Sequence, residues 1–100
     1  LGLAEERYEE ALRIYSIVDG ERSATVAGVM VELGCVYEGQ GRFDDALRMN
    51  KRAVRTLRRV FGDRHSIVAE ALSCTGTCLT GKQQLEEAMA KFEEAHAIFV

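Results

Sequence analysis

The residues able to do chemistry in this sequence are few: Cys35, Cys74 and Cys78, His65 and His96, and a scatter of carboxylates. Cys74 and Cys78 lie four residues apart, which on a helix puts both thiols on one face, where a third donor such as Cys35 could complete a metal site. There is no CxxC pair, so the cysteines read as reduced structural thiols. Hydrolytic and nucleotide chemistry is no better served, because HExxH, GxSxG and the phosphate-binding loop are all missing. Gly39-Gln40-Gly41 has the look of a nucleotide-binding turn, but it follows a helical pattern instead of a strand and lacks the third glycine. His65 stands at a helix start, where it serves local packing or hydrogen bonding, and His96, between Ala95 and Ala97, reads as a surface residue. The sequence predicts no enzyme, no cofactor and no metal.

The framework that carries these groups is helical. The chain has 100 residues, 47 % of them hydrophobic and 29 % charged, no proline and nine glycines. Such a composition suits one packed unit, or one slice of a larger array, with glycines at turns and close helix contacts. No run of eighteen apolar residues appears and the first fifteen residues are acidic, so neither a membrane span nor a signal peptide is expected, and the chain is placed in the cytoplasm.

Internal repetition is the primary fact. At an offset of 42, Ala4, Ala46 and Ala88 superpose, as do Ala11, Ala53 and Ala95. Arg13 meets Arg55, Val18 meets Val60, Gly20 meets Gly62, Arg22 meets Arg64, Gly34 meets Gly76 and Gly39 meets Gly81. Within a period the apolar residues are spaced by threes and fours: Val26, Val29, Met30, Leu33, Val36 and Tyr37, then Phe43, Ala46, Leu47, Asn50, Ala53, Val54 and Leu57, with Asn50 the one polar lapse. Two helices per period follow. Gly39-Gln40-Gly41 makes the turn inside the hairpin, and Ser23 in one copy and Asp63 or Ser66 in the next supply the helix caps. Five helices are expected, near 2–17, 23–38, 43–60, 65–80 and 85–100. Leu1 aligns with Phe43 and Leu85, so residues 1–17 read as the second helix of a truncated repeat, and 23–60 and 65–100 as complete repeats.

Net charge is only −3, but Arg48 to Arg64 holds seven cations against Asp63, leaving that stretch at +6 and the remainder at −9. A helix carrying Arg48, Lys51, Arg52, Arg55, Arg58 and Arg59 suits a nucleic-acid backbone or another anion. The repeat favours a different use. Glu9, Lys51 and Glu93 are equivalent positions, as are Glu10, Arg52 and Glu94, so successive second helices alternate in charge and are expected to pair as a ladder that sets repeat order.

The pattern Met30-x-x-Leu33-Gly34-x-x-Tyr37, then Gly41-x-Phe43-x-x-Ala46 and Ala53, resembles a tetratricopeptide repeat. Val60-Phe61-Gly62-Asp63-Arg64-His65-Ser66-Ile67-Val68-Ala69-x-x-Leu72 is similar to the G-x-x-H-P-x-V-A-x-x-L signature of the kinesin-light-chain-like members. The resemblance implies an all-α superhelix, a solenoid of antiparallel hairpins, acting as a non-catalytic protein-interaction scaffold. It implies that the first helix of each pair lines a concave groove, here Gly28, Val31, Glu32, Cys35 and Glu38, then Glu70, Ser73, Cys74, Thr77 and Thr80. A peptide or partner helix would occupy that surface. Where the kinesin-light-chain-like repeats carry an asparagine pair this chain has Val31-Glu32 and Ser73-Cys74, and three groove glutamates favour a basic or neutral, partly apolar ligand. The apolar faces of the terminal helices, with Leu3, Tyr8, Leu12 and Tyr15 at one end and Leu85, Met89, Phe92, Ile98 and Phe99 at the other, are expected to be covered by further repeats or by a second copy. A purely structural or self-associating segment of a larger protein remains the plainest alternative.

Overall fold

A computed structural model describes residues 2–20 and 23–99, apart from the side chains of Asp19 and Phe99. Leu1, which sets the repeat register, Arg22, the repeat mate of Arg64, the Phe99 side chain and Val100, the expected end of the last helix, lie outside the described residues. Five helices follow in order: α1 (Gly2–Asp19), α2 (Ala24–Gly39), α3 (Phe43–Phe61), α4 (Ser66–Gly81) and α5 (Leu85–Phe99). No strand occurs among the described residues. The period survives in three dimensions, since α4 begins and ends 42 residues after α2, α5 begins 42 after α3, and α3 ends 42 after α1.

Each boundary has a local cause. Ser23 caps α2 by accepting a hydrogen bond from the Val26 amide at 3.0 Å. At the equivalent start of α4 neither Asp63 nor Ser66 does this work. His65, which occupies the serine's slot, accepts from the Ile67 amide through Nδ1 at 3.2 Å and stacks its ring 4.6 Å from Phe61. Inside the hairpins the left-handed residue is Gly41, with φ 78°, and not Gly39, which is the last helical residue of α2. The equivalent of Gly41 is Gln83, which holds φ 63° without the freedom of a glycine.

Packing makes two layers. α2 and α4 touch each other in one layer, and α1, α3 and α5 form the other, with each helix packed on its sequence neighbours as α1 on α2, α2 on α3, α3 on α4 and α4 on α5. The assembly is a slab of 35 × 30 × 15 Å. Its core divides in two: one cluster holds Val26, Met30, Val54, Leu57, Val68 and Leu72, the other Leu33, Tyr37, Leu47, Cys78 and Leu79. Ala46, Ala53, Ala88 and Ala95 are buried, which lets the helices approach closely. Ala4 and Ala11 are only half-buried because α1 packs on α2 alone.

The expected charge ladder does not form. The outer-layer helices α1, α3 and α5 do not pack on one another; each packs on its sequence neighbours in the inner layer. Among the described residues Lys51 and Arg52 make no ion pair; Glu9 accepts a hydrogen bond from the Tyr37 hydroxyl at 2.9 Å, and Glu10 pairs with Arg13 on its own helix. Among the described residues only Arg58 and Glu94, 3.0 Å apart, bridge α3 and α5 by an ion pair. The other inter-repeat pairs tie a hairpin turn to the outer helix of the preceding repeat: Arg42 and Gln40 hold Glu5 of α1 at 3.1 and 2.9 Å, and Lys82 holds Asp44 of α3. Arg42 also lies 4.3 Å over the Tyr37 ring.

Candidate functional site

Helices α2 and α4 share a surface that no other described helix covers, and eight of the ten sequence-expected groove residues line depressions in it. Two adjoining depressions shape it. The wider, about 410 Å³, is lined by Val31, Glu32, Cys35, Glu70, Ser73 and Cys74. The narrower, about 60 Å³, is lined by Gly34, Cys35, Glu38, Asn50, Cys74, Thr77 and Cys78. Gly28, half-buried, and Thr80, exposed, belong to neither.

The two halves differ in character. Val31 offers apolar surface in the wider depression, flanked by the exposed carboxylates Glu32 and Glu70. In the narrower one Glu38 stands at the rim, and the Thr77 hydroxyl already donates to the Ser73 carbonyl at 3.1 Å, so its free lone pair can only accept. Burial pushes all three thiols, Cys35 among them, above the ordinary value, Cys74 to about 12 and Cys78 to about 11 with Glu38 adding to the effect. They stay protonated at neutral pH, which leaves the glutamates to set the charge of the face.

Asn50, which sequence reasoning treated as a lapse in an apolar stripe, forms the floor. It is completely buried, in the middle of α3 between the two core clusters. Its amide nitrogen lies 3.8 Å from Cys78 Sγ, while Oδ1 has no hydrogen-bond partner. A buried acceptor left bare costs about 1–3 kcal/mol. Gly34 and Cys78 are the other lining residues the sequence-expected groove omitted. The signal in the sequence was a polar residue on the apolar stripe of α3; that it meets a glycine of α2 is seen in the fold.

Two further surfaces lie elsewhere. Between α3, α4 and α5 a cleft of about 400 Å³ is lined by Lys51, Arg55, Arg58 and Lys91 over a floor of Val54, Leu72 and Thr75. Part of the basic run expected to serve an anion thus does converge, with Lys51 and Arg55 unpaired among the described residues and Arg58 and Lys91 held by Glu94. On the open side of α5, Met89, Phe92, Glu93, His96 and Ala97 line an apolar depression of about 500 Å³. His96 is exposed there, at the surface. Among the described residues no group of three or more His, Cys, Asp or Glu side chains is arranged to hold a metal ion, and no helix is long and apolar enough to cross a membrane.

Comparison with known proteins adds to this geometry. A family model described as a tetratricopeptide repeat matches residues 1–59. Tetratricopeptide repeat protein 19, mitochondrial, of Rattus norvegicus is 30 % identical over 95 residues, which is 95 % of this chain and 25 % of that protein. Its counterpart of the same name in Homo sapiens is 29 % identical over 92 % of this chain and 23 % of its own length. A kinesin light chain-related protein 3 of Arabidopsis thaliana is 28 % identical over 90 % of this chain and 14 % of its own length. The chain therefore spans about a quarter or less of the curated relatives it matches.

Proposed function

The chain belongs to the tetratricopeptide-repeat family, in its kinesin-light-chain-like form, and from that membership we propose that it binds a peptide segment or partner helix along the α2/α4 face, without catalysis of its own. The observation that carries this is the open α2/α4 face itself, where Val31 lies between the exposed carboxylates Glu32 and Glu70 and Asn50 gives the adjoining narrower depression a polar floor. Glu32, Glu38 and Glu70 around it select against acidic ligands and for basic or neutral ones, and the wider depression takes an apolar side chain beside Val31. The partition into a truncated repeat at 1–17 and complete repeats at 23–60 and 65–100 belongs to the same proposal.

Selection of a random peptide library on this chain tests it. Bound sequences should be neutral to basic, and Val31→Arg and Thr77→Arg should each abolish capture while the helical content stays. Peptides that bind both variants as well as the parent would remove the groove from consideration. The cytoplasmic placement is checked by fractionation of cells carrying the full-length protein, where recovery with mitochondria, the compartment in the names of the rat and human relatives, would overturn it.

The cleft of Lys51, Arg55, Arg58 and Lys91 favours a second reading, in which α3 and α5 hold an anion or a nucleic-acid backbone. Binding of a generic single-stranded RNA that weakens steeply with salt, and is lost in Lys51→Glu with Arg55→Glu, supports it; retention in that variant rules it out.

A further inference from the structure

Cys35 on α2 and Cys74 on α4 bring their sulfurs to 4.0 Å across the seam between the two inner helices. They are not equivalent positions of the repeat, since Cys74 stands in the slot of Glu32 and Cys35 in that of Thr77. Two unrelated replacements therefore meet at one point of the inter-repeat interface. Cys35 is exposed and Cys74 half-buried, and both border the wider and the narrower depression. A disulfide requires the sulfurs to close to about 2.05 Å, a movement of roughly 2 Å.

We propose that Cys35 and Cys74 form a dithiol site at which a low-molecular-weight disulfide, such as oxidised glutathione, is reduced while the two inner helices become covalently bridged. Cys35, the more accessible, loses its proton to solvent and attacks one glutathione sulfur. The glutathione disulfide bond breaks, and the first glutathione leaves as a thiolate that takes up a proton. Cys74 then loses its proton and attacks the Cys35 sulfur of the mixed disulfide, expelling the second glutathione, which is protonated in turn. Two cysteine thiols are oxidised to one disulfide, and one glutathione disulfide is reduced to two thiols.

Cys78 is excluded from this exchange by its surroundings. It is buried, one turn below Cys74, with Asn50 against its sulfur. The raised position of both reacting thiols makes formation slow, and because poor leaving thiolates also resist release, it makes the finished bridge slow to reduce. The bridge would close the loop between the repeats and restrict the unfolded chain, so it raises thermal stability. None of this depends on the groove being occupied.

The test is exposure of the intact chain to excess oxidised glutathione, an acid quench, and peptide mapping without reduction. The expected product has lost two hydrogens, joins the Cys35 and Cys74 peptides, keeps Cys78 as a free thiol and unfolds at a higher temperature. In Cys35→Ser, a substitution at an exposed position, both the link and the thermal shift should vanish. A wild-type product that stops at a glutathione adduct on Cys35, links Cys74 to Cys78, or stays unmodified after prolonged exposure would overturn the assignment.

Discussion

Gly34 and Asn50 meet so closely that a methyl group on the glycine would stand 2.5 Å from Asn50 Oδ1. One period later the same two positions hold Gly76 and Phe92, where the added methyl would meet the phenyl ring at 2.9 Å. The repeat thus keeps the glycine and changes what fills the space before it: an aromatic ring in one hairpin, an amide and a small empty pocket in the other.

That substitution separates stability from binding. Asn50→Leu removes an unpartnered buried acceptor and adds apolar contact, so stability should rise by about 1–2 kcal/mol in urea unfolding. The same change should abolish capture of library-selected peptides. Gly34→Ala, which forces the amide to move within a packed seam, should cost about 1–3 kcal/mol. A destabilised Asn50→Leu would show that the amide is satisfied in solution, and retained peptide capture would remove it from the site.

Much of this was legible in the residues, and the parts that were not share a cause. Periodicity and spacing place all five helices, because the alanines at 4, 11, 46, 53, 88 and 95 and the glycines at 34 and 76 mark where helices touch. The ladder of Glu9, Lys51 and Glu93 was not legible, since equivalence in a repeat says nothing of distance between copies, and the helices that carry these charges do not pack on one another. His65 packs and hydrogen-bonds locally at its helix start as expected, but the cap itself was assigned to Asp63 or Ser66, because a ring nitrogen here performs a task usually given to serine or aspartate. Asn50 was visible only as an exception; that it faces the inner surface needed the crossing of α3 behind α2 and α4.

Gly41 and Gln83 share one left-handed position, and only Gly41 suits it. A side chain there costs about 1 kcal/mol against glycine. Gln83→Gly should therefore stabilise the chain by about 0.5–1 kcal/mol despite a more flexible unfolded state, and Gly41→Ala should destabilise it by about 1 kcal/mol. Thermal or urea unfolding of the two variants checks the pair. Opposite signs are expected, and a loss in both would mean that Gln83 makes a compensating contact.

Tyr37 links α2 to α1 through Glu9, and burial, then the Glu9 hydrogen bond, pushes its phenol from an ordinary 10.0 up to about 12. The native state thus keeps its proton where the unfolded state has released it. This contribution is whole below pH 10 and disappears as pH rises toward about 12. Tyr37→Phe should lose about 1 kcal/mol at neutral pH from the missing hydrogen bond. Its stability should also decline less steeply across that alkaline window; parallel declines for the two proteins would contradict the assignment.

Met89 occupies in α5 the position that Leu47 occupies in α3, yet Leu47 is 7 % exposed and Met89 62 %. The difference has a direct cause: α4 covers Leu47, and no described helix covers Met89. Leu85, at 58 %, and Phe92, at 41 %, extend the same open face. Apolar surface of this extent seeks cover, about 25 cal/mol for each Å² withdrawn from water. At micromolar concentration the chain should sediment as an associating species. Leu85→Lys combined with Met89→Lys should return it to a monomer of unchanged helical content, since neither side chain lies in the core clusters. A parent chain that sediments as a monomer throughout that range would show that the face is tolerated in water and that no second copy is drawn to it.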